Sequence, residues 1–337
     1  MTLKMILFDF RKPEEDFFKK HKPENFDIAF YKKSLNAQTI REIPQEIKDN
    51  ASVISVFIDS EITKEIINGF KNLRLITTRS TGVNHINLRA CRKKNVAVIN
   101  VENYGSTSVV QYTAGLMIAL VRNIIPASQS VANPSKCAEF TGRDLTKLTI
   151  GIVGTGATGG AMAKLCTAFG MDVLAFDVIE KKELELKYTD MATLIKNSDI
   201  ITLHLPYTGD NFHMFSQREF EMMKKGSYFI NTSRGELIKT KDLYKALKNG
   251  HLAGAALDVL TCESYSFKCN KLAENAQTSS SSCIEEAEIV KKMIKLPNVV
   301  ITPHIAYETQ DSIDYILEQT IAGIKDFIAG GNEHRVV

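Results

Sequence analysis

Leu148-Thr149-Ile150-Gly151-Ile152-Val153-Gly154-Thr155-Gly156-Ala157-Thr158-Gly159 is the stretch that decides the fold. An apolar run passes directly into G-x-G-x-x-G, and a helix-like segment at 161–169 follows. Six-residue glycine patterns arise by chance, so context carries the reading. Strand, tight turn and helix start together make a dinucleotide phosphate site. Gly154 permits the turn, Gly156 lets backbone approach a pyrophosphate, and Gly159 lets helix and strand pack closely. The helix N-terminus then faces the phosphates. The next strand, Val173-Leu174-Ala175-Phe176, ends at Asp177, 177 − 159 = 18 residues beyond the last glycine. A carboxylate there accepts hydrogen bonds from ribose hydroxyls and repels a 2′-phosphate. Val178 and Ile179 follow it, not arginine, so NAD is favoured over NADP.

Outward from this unit the same rhythm continues. Ile200-Ile201-Thr202-Leu203, Tyr228-Phe229-Ile230, Gly254-Ala255-Ala256-Leu257-Asp258-Val259 and Val299-Val300-Ile301 read as further strands separated by helical stretches. That gives a doubly wound parallel sheet of six strands. The first hundred residues repeat the pattern. The N-terminal stretch, 1–9, reads as a first strand, and Ile28-Ala29-Phe30, Val53-Ile54-Ser55-Val56-Phe57-Ile58, Leu73-Arg74-Leu75-Ile76-Thr77 and Val96-Ala97-Val98-Ile99 read as buried strands of a second α/β sheet. Between the two series, apolar residues recur at helical spacing over 107–127, which predicts one long helix. Residues 264–296 depart from the rhythm. Their first half, with Ser279-Ser280-Ser281-Ser282, reads as a long surface excursion, and 284–294 as a helix.

Composition bounds the classes. A length of 337 residues fits two domains, and 44% hydrophobic with 24% charged residues excludes a disordered chain or a coiled coil. The net charge of 42 − 39 = +3 gives no electrostatic reason to expect nucleic acid or an anionic membrane as partner. No apolar run is long enough for a membrane span, and the N-terminal stretch reads as a strand, not a signal peptide. A cytoplasmic location is expected. Cys91, Cys137, Cys166, Cys262, Cys269 and Cys283 form no Cys-x-x-Cys and stand near no histidine pair, so no metal site is expected. Free thiols in a reducing compartment are the plain reading. Cys262, Cys269 and Cys283 form an alternative redox group beside Glu263.

Doubly wound folds do their chemistry beyond the carboxyl ends of their strands. Three strands run there into Asn231-Thr232-Ser233-Arg234-Gly235, Leu260-Thr261-Cys262-Glu263 and Thr302-Pro303-His304. Arginine, glutamate and histidine thus emerge on the edge that holds the cofactor. A hydride moving between nicotinamide and a 2-hydroxy acid needs these three types. Arg234 can grip a carboxylate with a planar fork. His304 can exchange a proton with the substrate oxygen, and Glu263 can hold the imidazole and favour its protonated form.

These residues carry a resemblance. With Thr78-Arg79-Ser80-Thr81-Gly82-Val83-Asn84-His85-Ile86-Asn87, Asn103-Tyr104-Gly105, Gly142-Arg143-Asp144-Leu145, His204-Leu205-Pro206, Ala256-Leu257-Asp258-Val259 and Pro303-His304, the chain resembles the D-isomer-specific 2-hydroxyacid dehydrogenases along almost its whole length. Within them it most resembles the D-lactate dehydrogenase branch. The resemblance implies catalytic Arg234, Glu263 and His304. It implies NAD contacts at Gly154, Gly156, Ala157, Thr158, Gly159, Asp177, His204, Leu205, Pro206, Asn211, Thr232, Ser233 and Asp258. Substrate contacts would fall on the amides of Thr81 and Gly82, on Tyr104 and on Arg234. It implies a flavodoxin-like substrate domain, 1–101 with 305–337, into which a Rossmann NAD-binding domain, 102–304, is inserted. It also implies a homodimer joined through the NAD domains, with 107–127 at the junction. The implied reaction reduces a small 2-keto acid, pyruvate or a close analogue, to a D-2-hydroxy acid. An NAD(H)-sensing, corepressor-like protein is the alternative of another class. Formate dehydrogenases carry glutamine where Glu263 stands. Thr158, Asn84, Gln111 and Ser264 depart from the residues common in the family.

Overall fold

The computed structural model describes residues 3–102, 104–132, 139–263, 281–332 and 334–337. Its backbone divides into two compact units, Met1–Tyr104 with Thr309–Val337, and Gly105–Glu308.

In the first unit, β1 (Leu3–Phe8), β2 (Phe26–Tyr31), β3 (Ala51–Val56), β4 (Leu75–Thr78) and β5 (Ala97–Ile99) form one sheet in the order β2-β1-β3-β4-β5. All pairings are parallel, and this is the flavodoxin-like order. Helices α1 (Lys12–His21), α2 (Gln45–Asn50), α3 (Lys64–Gly69) and α4 (Leu88–Lys94) connect the strands. Every residue of β3 is buried, as expected of a parallel strand covered on both faces. Ile54, Ile66, Ile67, Phe70 and Val98 fill one face. Val53, Leu75 and Ile99 pack against Leu317, Ile321 and Ile324 of the C-terminal helix Gln310–Ile328 on the other. The last residues of the chain are held to β5, Val336 N–H donating to the Val98 carbonyl at 2.8 Å.

The second unit holds β6 (Thr149–Val153), β7 (Asp172–Phe176), β8 (Lys187–Tyr188), β9 (Ile200–Leu203), β10 (Ser227–Asn231), β11 (Leu252–Leu257) and β12 (Val299–Ile301), all parallel. The order β12-β11-β10-β9-β6-β7-β8 is that of a Rossmann sheet, its switch point between β6 and β9. Its helices are α5 (Ser106–Val121), α6 (Ile124–Ala132), α7 (Ala157–Ala168), α8 (Met191–Asn197), α9 (Gln217–Met222), α10 (Thr240–Lys248) and α11 (Ser281–Met293).

Two expectations are corrected. The sheet has seven strands, not six, because β8 is only two residues long, too short to leave a periodic signal. The helix expected over 107–127 is two helices bent by 63°. Asn123 adopts a left-handed φ of 53°, and its side-chain amide donates to the Thr141 carbonyl at 3.2 Å. Asparagine tolerates that conformation where most residues do not. Pro126 falls in the first turn of α6, where a missing N–H costs nothing. Among the described residues no single helix is long and apolar enough to cross a membrane. The bent pair passes by length and composition alone, but Val110, Leu116, Met117, Leu120 and Val121 of α5 lie in the core of the unit. The excursion expected over the first half of 264–296 falls at 264–280, outside the described residues.

Candidate active site

The glycine turn joins β6 to α7. Gly154 has φ 92°, a left-handed conformation that only glycine adopts freely. A Cβ on Gly159 would sit 1.8 Å from the Gly154 carbonyl oxygen, so close packing of strand and helix depends on hydrogen there. At Gly156, by contrast, a Cβ would meet no atom within 4 Å, which leaves its backbone open to an approaching group. Gly156 is also the N-cap of the twelve-residue α7 and offers no side chain to its first amides. Open backbone at a helix N-terminus is what a pyrophosphate requires.

Asp177 lies just beyond β7, half-buried. Its Oδ2 accepts from the Thr155 amide at 2.6 Å and hydroxyl at 3.1 Å, and its Oδ1 from the Ile179 amide at 3.1 Å. Burial pushes this carboxyl up, but those donors and the Val178 amide together hold it below the usual carboxylate range. Val178 and Ile179 beside it are 89% and 72% exposed, an apolar ledge unusual on a surface and suited to an adenine ring. Glycine turn, helix start, acid and ledge therefore fit NAD.

Among the other expected cofactor contacts, His204 packs against the turn, its carbonyl oxygen 2.5 Å from where a Cβ on Gly154 would lie. Its Nε2 meets the Thr202 hydroxyl at 3.1 Å, and burial lowers its pKa to about 4, so the ring is neutral. Asn211 is turned into its own loop, donating to the Pro206 carbonyl at 2.8 Å and accepting from the Thr208 amide at 3.0 Å. That loop carries Leu205 and Pro206. Thr232 meets Thr113 of α5 at 2.8 Å, and the Ser233 hydroxyl donates to the Leu203 carbonyl at 2.6 Å. Ala157 and Thr158 form the first turn of α7.

At the carboxyl edge of the same sheet, His304 Nδ1 lies 2.8 Å from Glu263 Oε2. Glu263 is itself held, its Oε1 accepting from the Leu260 amide at 3.1 Å. His304 adopts a left-handed φ of 56°, a rare conformation that persists where surroundings impose it. Asp258 supplies that constraint. Its side chain is fully buried, and its oxygens accept from Thr302 Oγ1 at 2.6 Å, the Ile305 amide at 3.1 Å and the Ala306 amide at 2.8 Å. Burial pushes the Asp258 carboxyl up, against the pull of those donors. Asp258 thus clamps the loop that presents His304, which the sequence reading, treating it as a cofactor contact, did not foresee.

Arg234 stands on the turn after β10. Asn231 Nδ2 donates to the Arg234 carbonyl at 2.9 Å, and a Cβ on Gly235 would lie 2.0 Å from the Leu260 carbonyl carbon. The Arg234 backbone is therefore fixed from both sides, while its Nη1 donates to the Ser233 carbonyl at 2.6 Å. Asn231, buried at 0% exposure, is a positioning residue the sequence reading quoted without a role.

In the first unit the segment 79–82 follows β4. Arg79, 1% exposed, donates to Glu14 at 3.1 Å, to Ser55 Oγ at 2.9 Å and to the carbonyls of Phe8 and Asp9. This fastens the ends of β1, β3 and β4 to one another. Thr81 is then held by its hydroxyl on the Val101 carbonyl at 2.9 Å and by Asn100 Nδ2 on its own carbonyl at 2.9 Å. Thr81 is exposed and Gly82 half-buried. The Tyr104 carbonyl accepts from the Ser312 hydroxyl at 2.9 Å.

The expectation of free cysteines is corrected at one pair. Cys262 and Cys283 form a disulfide, with Cα atoms 5.6 Å apart. A left-handed φ of 57° at Cys262 turns it toward the first turn of α11, which no sequence spacing reveals. Cys91 and Cys166 are free and buried, with pKa values raised by burial to about 11 and about 12, so neither is a reactive thiolate. Cys137 and Cys269 lie outside the described residues. Reducing the bond reopens a 21-residue separation, worth about 3 kcal/mol of chain entropy. A phosphine reductant is expected to lower the calorimetric unfolding midpoint by several degrees in the wild type and not in Cys283→Ser. An unchanged wild-type midpoint would count against the bond.

No group of three or more His, Cys, Asp or Glu able to hold a metal occurs among the described residues. Residues 114–306 match the D-isomer specific 2-hydroxyacid dehydrogenase, NAD binding domain. The chain is 37% identical over 280 residues to a D-specific alpha-keto acid dehydrogenase of Enterococcus faecium, covering 81% of this chain and 82% of that one. It is 30% identical over 338 residues to an aromatic 2-oxoacid reductase of Clostridium sporogenes, 96% of each. Its fold is similar to the crystal structure of D-lactate dehydrogenase from Aquifex aeolicus complexed with NAD and lactic acid, with a TM-score of 0.87 and 30% identity over 98% of this chain and 97% of that one. The chain belongs to the D-isomer specific 2-hydroxyacid dehydrogenase family, and NAD is its cofactor.

Proposed function

We propose that this chain catalyses the reversible reduction of a small 2-keto acid by NADH to a D-2-hydroxy acid, with pyruvate or a close analogue as substrate. The observation that carries the reading is the His304–Glu263 contact of 2.8 Å on the sheet edge that also bears Arg234 and the glycine turn. Bound NADH supplies the hydride that ends on C2 of the substrate. Arg234 holds the carboxylate and polarises the carbonyl. His304 gives a proton to the carbonyl oxygen and regains one from solvent. With Nδ1 engaged by Glu263, Nε2 is the nitrogen left for that transfer, and Glu263 fixes the plane of the ring. Thr81, Gly82 and Tyr104 are the proposed substrate contacts of the first unit. The same reading gives a homodimer in the cytoplasm. Exposed apolar side chains on α6, Ile124 at 49% and Val131 at 81%, support an assembly face there.

The enzyme reading is tested by NADH oxidation with pyruvate, 2-ketobutyrate, 2-ketoisocaproate and phenylpyruvate, and by chiral analysis of the product. Highest kcat/KM for pyruvate or 2-ketobutyrate with a D-product is the expected result. Highest kcat/KM for phenylpyruvate would move the assignment to aromatic 2-keto acids. Absence of turnover with all four would overturn the enzyme and leave an NADH-binding protein.

A further inference from the structure

The seventh strand, β8, pairs only Lys187 and Tyr188 with Leu174 and Ala175 of β7. Its position brings the Tyr188 phenol under the acid that closes the cofactor motif. Lys181 N–H donates to the Tyr188 oxygen at 3.1 Å. Tyr188 O–H donates to Thr155 Oγ1 at 2.9 Å, and Thr155 O–H to Asp177 Oδ2 at 3.1 Å. The direction of this chain is fixed at both ends. An amide can only donate, an ionised carboxylate can only accept, and each hydroxyl between them has one hydrogen. Thr155 therefore has no alternative use for its proton while Tyr188 donates to it. Such chains strengthen cooperatively where solvent is excluded, and Thr155 is 0% exposed.

Two consequences follow for Asp177. Its Oδ2 is taken up by the Thr155 amide and hydroxyl, so Oδ1, which accepts from the Ile179 amide, is the oxygen left to face a ribose hydroxyl. The Lys181 end of the chain also ties down the backbone just after the exposed Val178 and Ile179. One phenol thus joins the glycine turn to the separate segment that carries both the acid and the ledge.

We infer that Tyr188 is a positioning residue for the cofactor: through Thr155 it fixes the Asp177 carboxylate and so sets the preference for NADH over NADPH. The inference rests on Asp177 as the ribose acceptor. The Thr155 and Ile179 amides hold the carboxylate in either case, and the relay commits the Thr155 hydroxyl as a further donor that keeps Oδ2 toward the glycine turn and Oδ1 toward the ribose. Without the relay the Thr155 hydroxyl can turn to other acceptors, and the acceptor geometry offered to the ribose loosens.

Tyr188→Phe removes the hydroxyl and keeps the ring. Equilibrium binding read by nicotinamide fluorescence is expected to show NADH affinity weakened about 3- to 10-fold, the range for one lost hydrogen bond. NADPH affinity is expected to hold or improve, and kcat at saturating NADH to stay at the wild-type value. In a Thr155→Val background, Tyr188→Phe is expected to add nothing, because the pair acts as one path. Thr155→Ser, which keeps a hydroxyl, is expected to retain wild-type selectivity. Unchanged NADH affinity in Tyr188→Phe, equal weakening of NADH and NADPH, or additive effects in the double variant would each overturn the relay. So would a Thr155→Ser variant as impaired as Thr155→Val, a comparison that also serves if Tyr188→Phe does not fold. Asp177→Ala separates the two levels. If it weakens NADH while Tyr188→Phe does not, the relay alone fails. If it too leaves NADH affinity unchanged, the ribose assignment fails with it.

Discussion

His304→Ala is expected to lower kcat for keto-acid reduction by about 10²–10⁴, the usual worth of a positioned general acid. NADH affinity should stay near the wild-type value, because the cofactor features of the turn, Gly154, Gly156 and Asp177, do not involve this ring. The reason for a large effect is geometric. Glu263 is anchored by the Leu260 amide and in turn holds His304 Nδ1, while Asp258 clamps the backbone on either side through Thr302, Ile305 and Ala306. The imidazole is thus pre-placed. Alanine accepts the left-handed φ of 56° less well than histidine, so a small loss of stability is expected beside the loss of rate. Measuring the unfolding midpoint together with kcat separates the two. Glu263→Gln keeps an acceptor for Leu260 but replaces the carboxylate facing Nδ1. It should cost less than removing the ring and should have little effect in a His304→Ala background. Wild-type kcat in a folded His304→Ala protein would remove histidine from the mechanism.

Most of the strands and the residues at the sheet edge could be read before any coordinate. Parallel strands buried on both faces leave unbroken apolar runs, and Ala51–Val56 is the plain case. Strand-to-helix turns also place chemistry at carboxyl ends, which is why Arg234, Glu263 and His304, bland one by one, could be picked out together. What escaped was set by distant partners or by one residue's backbone. The apolar spacing runs through Arg122 and Asn123 without a break, yet a left-handed Asn123 bends the helix there. Arg79 sits in a quoted motif, but its partners lie 24 to 71 residues away in sequence, so neither its burial nor its hold on Phe8 was legible. The Cys262–Cys283 bond is of the same kind. Asp258 shows a subtler case: position marked it as important, while its buried hydrogen bonds assign it to the His304 loop as well. Tyr188 was missed because a two-residue strand has no period.

Arg234→Lys is expected to reduce kcat/KM for the keto acid by about 10- to 100-fold, the worth of one charge-assisted hydrogen bond in a bidentate pair. Both parameters should move, KM because the carboxylate is held by one contact instead of two, and kcat because the carbonyl is no longer fixed relative to His304. The charge survives the substitution, so a purely electrostatic role would leave kcat/KM almost intact; the planar fork does not survive it. The backbone at this site does not relax to compensate. Asn231 holds the Arg234 carbonyl, and Gly235 is pressed against the Leu260 backbone too closely for any side chain, so a lysine must reach from the same fixed Cα. Arg234 Nη1 also donates to its neighbouring carbonyl at Ser233, which sets the plane of the guanidinium, and an ammonium has no plane to set. Steady-state kinetics with pyruvate, alongside NADH binding by fluorescence, make the check. NADH affinity should be unaltered while kcat/KM falls. Added guanidinium should restore part of the activity of Arg234→Ala and none of that of His304→Ala. Equal rescue of both, or a lysine variant with wild-type kcat/KM, would take the carboxylate grip away from Arg234.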